Sequence, residues 1–318
     1  MRNIISKYLD LEFNNKILIF DYENLCELDI MKETFVSEQF KIYRYESVEG
    51  FRLTYESEIR NKSRKNIVIV NNKDIYIPYD IRKEYKIKTI SMKLLTGIDK
   101  KELDKEDIDI EYAIIAKESE RESYIICETN SDTSSIINKE NTLSYIEYMQ
   151  NKIDKVLNKN PSVEDWILIS EIRAKILKYS LEWNVKCNFH ELDMAFKEYI
   201  FTGGYKNLST EIRANKFPSI LPQIMQRKRA EKTALVVMDG MSMFDFINLK
   251  TSLIEFEYTQ TGTFALIPTT TPISRQCIFS GKYPIELDDP FRIRNEEKEF
   301  IEAGINLGYQ RDTILFKH

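Results

Sequence analysis

Short apolar runs, each followed by an amphipathic stretch, place the tightest limit on what this chain can fold into. Lys16-Ile17-Leu18-Ile19-Phe20-Asp21, Lys41-Ile42-Tyr43-Arg44-Tyr45 and Asn66-Ile67-Val68-Ile69-Val70 have strand length and are rich in β-branched and aromatic residues. The third is the clearest. Residues 26–35 and 49–60, which separate them, read as helices, and residues 75–78 and 88–92 as further short strands. Strands that alternate with helices form parallel sheets covered on both faces, because each parallel connection needs a crossover. The expected fold class is therefore α/β. Residues 1–118 are expected to form a small parallel-sheet module of receiver-like or Rossmann-like type.

The texture changes twice along the chain. Residues 119–141 are polar, with Thr129-Asn130-Ser131-Asp132-Thr133-Ser134-Ser135 at their centre, and read as a loop or domain edge. Residues 142–230 read as helical. Asn160-Pro161-Ser162-Val163-Glu164 is a helix start, followed by Trp166, Ile169, Ile172, Ile176 and Leu177 at helical spacing. Asn188, three residues before Glu191, marks another capped start, and Gly203-Gly204 ends that segment. Pro218 and Pro222 punctuate the next. At Thr233 a strand-like pattern returns. Thr233-Ala234-Leu235-Val236-Val237-Met238-Asp239-Gly240 reads as a buried strand ending in an acid and a glycine, and residues 255–258 and 262–267 as more strands. Three regions result: 1–118, 119–232 and 233–318. No internal repeat is visible.

Composition excludes several classes. The 318 residues carry 46 Lys+Arg against 51 Asp+Glu, a net charge of −5. That balance argues against a generally basic nucleic-acid binder, while a local basic groove stays open. No apolar run approaches the ~20 residues of a membrane span. The opening MRNIISKYLDLEF has neither a continuous apolar core nor a small-residue cleavage site, so no signal peptide is expected. Cys26, Cys127, Cys187 and Cys277 lie far apart without a CxxC, which fits reduced thiols and a cytoplasmic location. The 2 histidines cannot build a histidine-rich metal site. With 9 glycines and neither GxGxxG nor GxxxxGK[ST], no glycine-rich nucleotide loop is expected.

Two residues stand out chemically. In an open α/β sheet, ligands collect outside the carboxyl ends of the strands. Asp239, with a flexible glycine behind it, could reach a metal ion there. It could equally be a helix N-cap or an ordinary strand-end acid. Thr271 lies in Pro268-Thr269-Thr270-Thr271-Pro272-Ile273-Ser274-Arg275. Its hydroxyl would need a base or a metal to become a nucleophile, and the segment could also be a rigid turn and helix cap.

Taken together, Val237-Met238-Asp239-Gly240-Met241, then Ile267 to Arg275, then Ser280-Gly281-Lys282-Tyr283-Pro284 resemble the PglZ family of the alkaline phosphatase superfamily. The relatives of that family share a strand-end Asp, a nucleophile Thr and, ten residues later, the Gly of a Gly-x-x-Pro. Gly281 lies ten residues after Thr271 and Pro284 follows in register, which selects Thr271 over Thr269 and Thr270.

The resemblance implies that residues 233–318 begin an alkaline-phosphatase-like α/β domain. It implies a two-metal phosphoesterase site, with zinc the expected divalent ion. Asp239 and Thr271 would bind metal, Thr271 would be the catalytic nucleophile, and Arg275 and Ser274 would bind phosphate. It further implies a cytoplasmic bacterial component of a BREX phage-defence system. Its partners would be other BREX subunits, a methyltransferase and an ATPase among them. A phosphoester or nucleic acid would be the substrate, and no membrane is involved. The superfamily's remaining acid and histidine ligands come downstream of the nucleophile. Beyond Thr271 this chain offers Asp288, Asp289 and Asp312 but no Asp-His pair, and its last residue is His318. The chain is therefore expected to be the front portion of a longer protein, with the metal site incomplete in it. The alternatives are a non-catalytic scaffold subunit of the defence complex, or a two-domain α/β protein whose motif match is coincidental.

Other signals carry less. Asp21 and Glu23 resemble a receiver's acidic pair, but Asn71-Asn72 stands where the phosphoacceptor should be. Arg227-Lys228-Arg229 with Lys232 could touch a nucleic-acid backbone, but suits a helix C-terminus better. His190 reads as a core residue of a capped helix, and residues 100–109 as a solvated charged face.

Overall fold

A computed structural model describes residues 4–60, 62–120, 133–204, 232, 234–253, 256, 260, 262–263, 265–292 and 295–317. The chain divides into two compact units, 1–148 and 149–318. The first is mixed α/β. Its strands are β1 (Lys16–Asp21), β2 (Lys41–Arg44), β3 (Asn66–Val70) and β4 (Lys86–Ile90). All pairings are parallel, in the order β2-β3-β1-β4. Ile17 stands opposite Ile67 and Lys86. The helices are α1 (Ile4–Tyr8), α2 (Asp29–Ser37), α3 (Val48–Thr54), α4 (Tyr79–Arg82), α5 (Met92–Thr96), α6 (Lys100–Lys105) and α7 (Ile110–Glu120), and the division between the units falls within α8 (Thr142–Leu157).

The interior strands β1 and β3 bury both faces. Leu18, Val68 and Val70 pack on one side against Tyr45, Phe51, Tyr55, Ile59, Ile81 and Tyr85. Ile17, Ile19, Ile67 and Ile69, of the opposite parity, are also buried. A fully buried side chain of this kind contributes about 1.5–3 kcal/mol, so β3, buried throughout, is the anchor of the unit. The edge strands β2 and β4 are partly exposed and carry lysines and arginine. Such charges keep a sheet edge from pairing with other chains.

Local chemistry explains where the observed elements depart from expectation. The helix expected at 26–35 starts as a 3₁₀ turn, Leu25–Glu27, with α2 following. The Asp21 carboxylate accepts the Leu25 and Cys26 N–H groups and tightens that turn. The helix expected at 49–60 widens into a π-turn at Tyr55–Ile59, and both of those end residues are buried in the core. Residues 75–78 are not a strand. Ile77 is buried and Pro78 leads into α4. The strand expected at 88–92 runs instead from Lys86 to Ile90, because Ser91 caps α5 by accepting the Leu94 N–H.

The second unit is helical in its described residues. It contains α9 (Val163–Trp183), α10 (His190–Tyr199), α11 (Met243–Lys250), α12 (Thr271–Ser280) and α13 (Glu296–Asn306). Ser162 and Asp165 form a reciprocal capping box at the start of α9. Trp166, Ile169, Ile172 and Ile176 are buried as the spacing predicts, and Leu177 is half-buried. Asn188 accepts the His190 N–H at 2.9 Å at the start of α10. His190 itself is exposed, not a core residue, because α10 buries none of its side chains.

Residues 234–240 are not a buried strand. Among the described residues no strand runs beside them, and Val236 is 79% exposed. An apolar run becomes a strand only when neighbours supply its hydrogen bonds. Residues 262, 263 and 265–267 are not in a strand either, although Leu266 is buried. Of 255–258 only Phe256 is described, and it is exposed. Pro218, Pro222 and Arg227-Lys228-Arg229 lie outside the described residues, as does the centre of the polar segment before Thr133.

Candidate functional site

Helix α12 carries the threonine motif. Thr270 is its N-cap and Thr271 its first residue. Pro272 follows, where its fixed φ suits the first turn and its missing N–H is no loss. The Ser274 N–H donates to the Thr270 carbonyl at 2.9 Å. Gly281 ends the helix at φ 72, a conformation other residues adopt with strain, and its N–H closes on the Cys277 carbonyl. The spacing from Thr271 to Gly281 is thus the length of one capped helix.

The back of α12 is fixed by packing. Ile273 and Cys277 join Val163, Leu266 and Leu287 in a buried cluster. The buried Gln276 amide donates to the Pro272 and Pro290 carbonyls, both at 3.0 Å, and ties the following loop to the helix. Phe279, Phe300 and Phe316 form an aromatic triangle against α13. Thr271 is exposed, so its hydroxyl stands at the open end of a rigid helix.

Asp239 sits in a turn rather than at a helix cap. Gly240 behind it has φ 71. The N-cap of α11 is Ser242, paired reciprocally with Asp245, whose carboxyl is held below its ordinary value by the Ser242 hydrogen bonds. Asp239 is left partly exposed, and its Oδ2 is 4.0 Å from Nη1 of Arg275. Arg275 lies one turn beyond Thr271, and its Nη2 is 2.7 Å from Oε2 of Glu296. Ser274 is half-buried on that same turn. The structure therefore brings Asp239 and Arg275 to ion-pair distance and sets Thr271 and Arg275 one turn apart on α12.

Sequence reasoning missed Glu296. Asn295-Glu296-Glu297-Lys298-Glu299 is dense in charge and was not singled out, yet Glu296 is fully buried and Glu299 nearly so. The available signal was their three-residue spacing, which puts both on one helical face next to Phe300. Glu299 pairs with Lys282 at 3.3 Å.

The acidic pair of the first unit is structural. Asp21, fully buried, accepts the Leu25 and Cys26 N–H groups at 2.9 and 2.7 Å. Glu23 accepts the Met92 N–H at 2.8 Å. The Asn71 amide donates to the Asp21 carbonyl and the Asn24 side chain. Neither carboxylate is free for phosphoryl chemistry. Burial and the neighbouring Asp21 raise the Cys26 thiol pKa, and burial raises that of Cys277 to about 11. Both stay protonated at neutral pH and are poor nucleophiles.

A cavity of about 290 Å³ lies beside α9 and α10, lined among others by Trp166, Phe196 and Met243. Its charged residues, Arg173 and Asp193, pair with each other at 3.3 Å.

For metal, the described residues offer Asp239 and Thr271 as oxygen donors. No group of three or more His, Cys, Asp or Glu side chains that could hold an ion stands together among the described residues. A carboxylate and a hydroxyl are oxygen donors of the kind a divalent ion takes.

Fold and site define a mixed α/β protein with a four-stranded parallel sheet and a helical unit in which Asp239 approaches Arg275 on the helix that begins at Thr271. No family model, curated protein or solved structure matches this chain. Among the described residues, no helix is long and apolar enough to cross a membrane.

Proposed function

We propose that this chain is a PglZ-like component of a BREX phage-defence system, and that α12 carries the nucleophile of a metal-dependent phosphoesterase. One observation carries the reading. Arg275, placed one turn after Thr271 by the helix, reaches Asp239 across a 4.0 Å gap. An acid distant in sequence is thus brought beside the helix that carries both the hydroxyl and the guanidinium. On this reading residues 233–318 begin an alkaline-phosphatase-like domain. The protein works in the cytoplasm with a methyltransferase and an ATPase, on a phosphoester or nucleic acid.

The chain's own residues have distinct roles. Thr271 Oγ, its proton lost to solvent, attacks phosphorus and forms a Thr–phosphoryl ester as the P–O bond to the leaving alcohol breaks; the departing oxygen takes a proton from solvent, and water then cleaves the Thr–phosphoryl ester. Arg275 contributes positive charge to the phosphate oxygens, with Ser274 and the first amides of α12 beside it. Asp239 and Thr271 would hold one divalent ion, zinc by resemblance. That ion supplies a lowered pKa for the threonine hydroxyl.

The test is hydrolysis of p-nitrophenyl phosphate and its bis-ester by protein made from its native locus, with divalent metal added. Thr271→Ala is expected to lower kcat at least a hundredfold, about 2.7 kcal/mol of transition-state stabilisation. An unchanged rate removes Thr271 as nucleophile.

One observation favours a scaffold instead. The Arg275 guanidinium is itself a fixed cation at the Asp239 carboxylate, where a bound metal would compete with it. Undiminished phage defence with Asp239→Ala would select that reading.

A further inference from the structure

We propose that the cavity beside α9 and α10 is a binding site for a neutral, flat molecule of one or two rings that carries an N–H or O–H donor. The site is separate from the esterase reading and uses none of its residues. Its walls come from fixed elements. Trp166, Ser170 and Arg173 follow one another at helical spacing along one face of α9. Trp166 is buried, and its ring meets Phe196 of α10 edge-on, with centroids 4.9 Å apart. Met243, the first residue of α11, adds a thioether. Gly262 lines the cavity as well. A Cβ there would stand 2.5 Å from Ile167 Cγ2, so glycine lets its segment lie directly on α9. The Gln260 amide donates to the Glu171 carboxylate and ties that segment down.

Three properties of the cavity select its occupant. Its volume of about 290 Å³ is at the lower end for ligand pockets, which run from about 300 Å³ upward, so the ligand is small. Aromatic rings prefer stacked or edge contacts with other rings, and a methionine sulfur favours ring edges. Trp166, Phe196 and Met243 therefore favour a flat ring over an aliphatic one. Polarity sets the third property. Arg173 and Asp193 pair at 3.3 Å, and the Arg173 guanidinium also lies 4.8 Å over the Phe189 ring. An ion of either sign would be attracted by one member of that pair and repelled by the other, which favours a neutral ligand. Ser170 gives its hydroxyl proton to the Ile167 carbonyl at 2.7 Å. Its oxygen keeps lone pairs, so the wall offers an acceptor and the ligand brings the donor.

The probes are indole, benzofuran and cyclohexanol. Indole is flat, neutral and carries an N–H. Benzofuran lacks the donor, and cyclohexanol is not flat. Each is titrated into the full chain labelled with methyl-¹³C-methionine, and binding is read from the Met243 methyl signal, assigned with Met243→Leu. Indole is expected to shift that signal to saturation, and benzofuran to bind about fivefold more weakly, the effect of one hydrogen bond. Cyclohexanol should bind more weakly than indole. Ser170→Ala should weaken indole about fivefold and leave benzofuran unchanged. Ser170→Phe, which fills the cavity, should abolish indole binding. Should it not fold, as judged by circular dichroism, Ser170→Leu serves instead with the same expectation.

The inference is overturned if indole leaves the Met243 signal in place, if cyclohexanol binds as tightly as indole, if Ser170→Ala binds indole unchanged, or if the filled variant still binds it. Thr271→Ala should bind indole like the wild type. If it does so and also hydrolyses normally, the esterase reading fails and this site stands.

Discussion

Two apolar runs in this chain end in aspartate and meet opposite fates. Ile17-Leu18-Ile19-Phe20-Asp21 lies in an interior strand of a parallel sheet, and its Asp21 is fully buried with two backbone N–H donors. Leu235-Val236-Val237-Met238-Asp239 is not in a strand, and its Asp239 is 45% exposed beside an arginine. A strand-end carboxylate is structural when the following turn wraps its amides around it. It is available for chemistry when the turn opens away, as the positive φ of Gly240 lets it do. The same five-residue pattern therefore does not say which aspartate can act.

The comparison can be broken by mutation. The largest contrast is expected in packing. Leu18→Ala should lower the stability of the first unit by about 2–5 kcal/mol, whereas Val236→Ala should change that of the second by less than about 0.5 kcal/mol. Urea denaturation followed by fluorescence and circular dichroism measures both, and equal losses would mean that residues 234–240 are buried in solution.

The next contrast concerns the acids themselves. Asp21→Asn leaves one carbonyl oxygen for two buried amides and should cost about 1–3 kcal/mol of stability. Asp239→Asn should leave stability within about 0.5 kcal/mol while lowering metal-dependent hydrolysis. A stability loss at Asp239 as large as that at Asp21 would make it a structural acid too.

A smaller effect follows from pH. The Lys16 hydrogen bond, with help from Tyr55, holds the Glu84 carboxyl below its ordinary 4.5. A folded-state pKa below the unfolded one stabilises the fold fully above that value, and the contribution is lost as pH falls through the folded pKa. The urea midpoint of the first unit should therefore drop on acidification below 4.5, and drop less in Glu84→Gln. An equal drop in both proteins would show that the pair contributes nothing.

The smallest expected effect leaves stability untouched. Cys26 and Cys277 are buried with raised pKa, and Cys187 is half-buried. Brief iodoacetamide treatment of native protein at neutral pH should modify Cys187 ahead of those two, as read by peptide mass spectrometry. Early labelling of Cys277 would mean that α12 opens readily.

Much of the first unit was legible in the sequence. β1 and β3 fall where their apolar runs lie, because an interior parallel strand needs apolar residues on both faces and few other segments provide them. The start of α9 was equally plain, since Ser162 and Asp165 satisfy backbone donors locally. The candidate site was legible only in part. Asp239, Thr271, Ser274 and Arg275 could be named from motif spacing, but nothing local shows that Arg275 reaches Asp239. Glu296 was invisible because its burial depends on α13 lying against α12, and the surrounding charges imitate a solvated face. His190 went the other way. Its apolar neighbours imitate a core, yet α10 buries none of its side chains.

The sequence by itself determined what depends on neighbours along the chain. The α/β alternation, the capped start of α9, and the proline and glycine that open and end α12 all rest on hydrogen bonds and φ preferences within a few residues. Tertiary structure alone decided which apolar run became a strand, which aspartate was enclosed, and which glutamate was drawn inside to meet Arg275. Those outcomes depend on hydrogen-bond partners, burial and charge supplied by residues distant in sequence, and no local pattern encodes them.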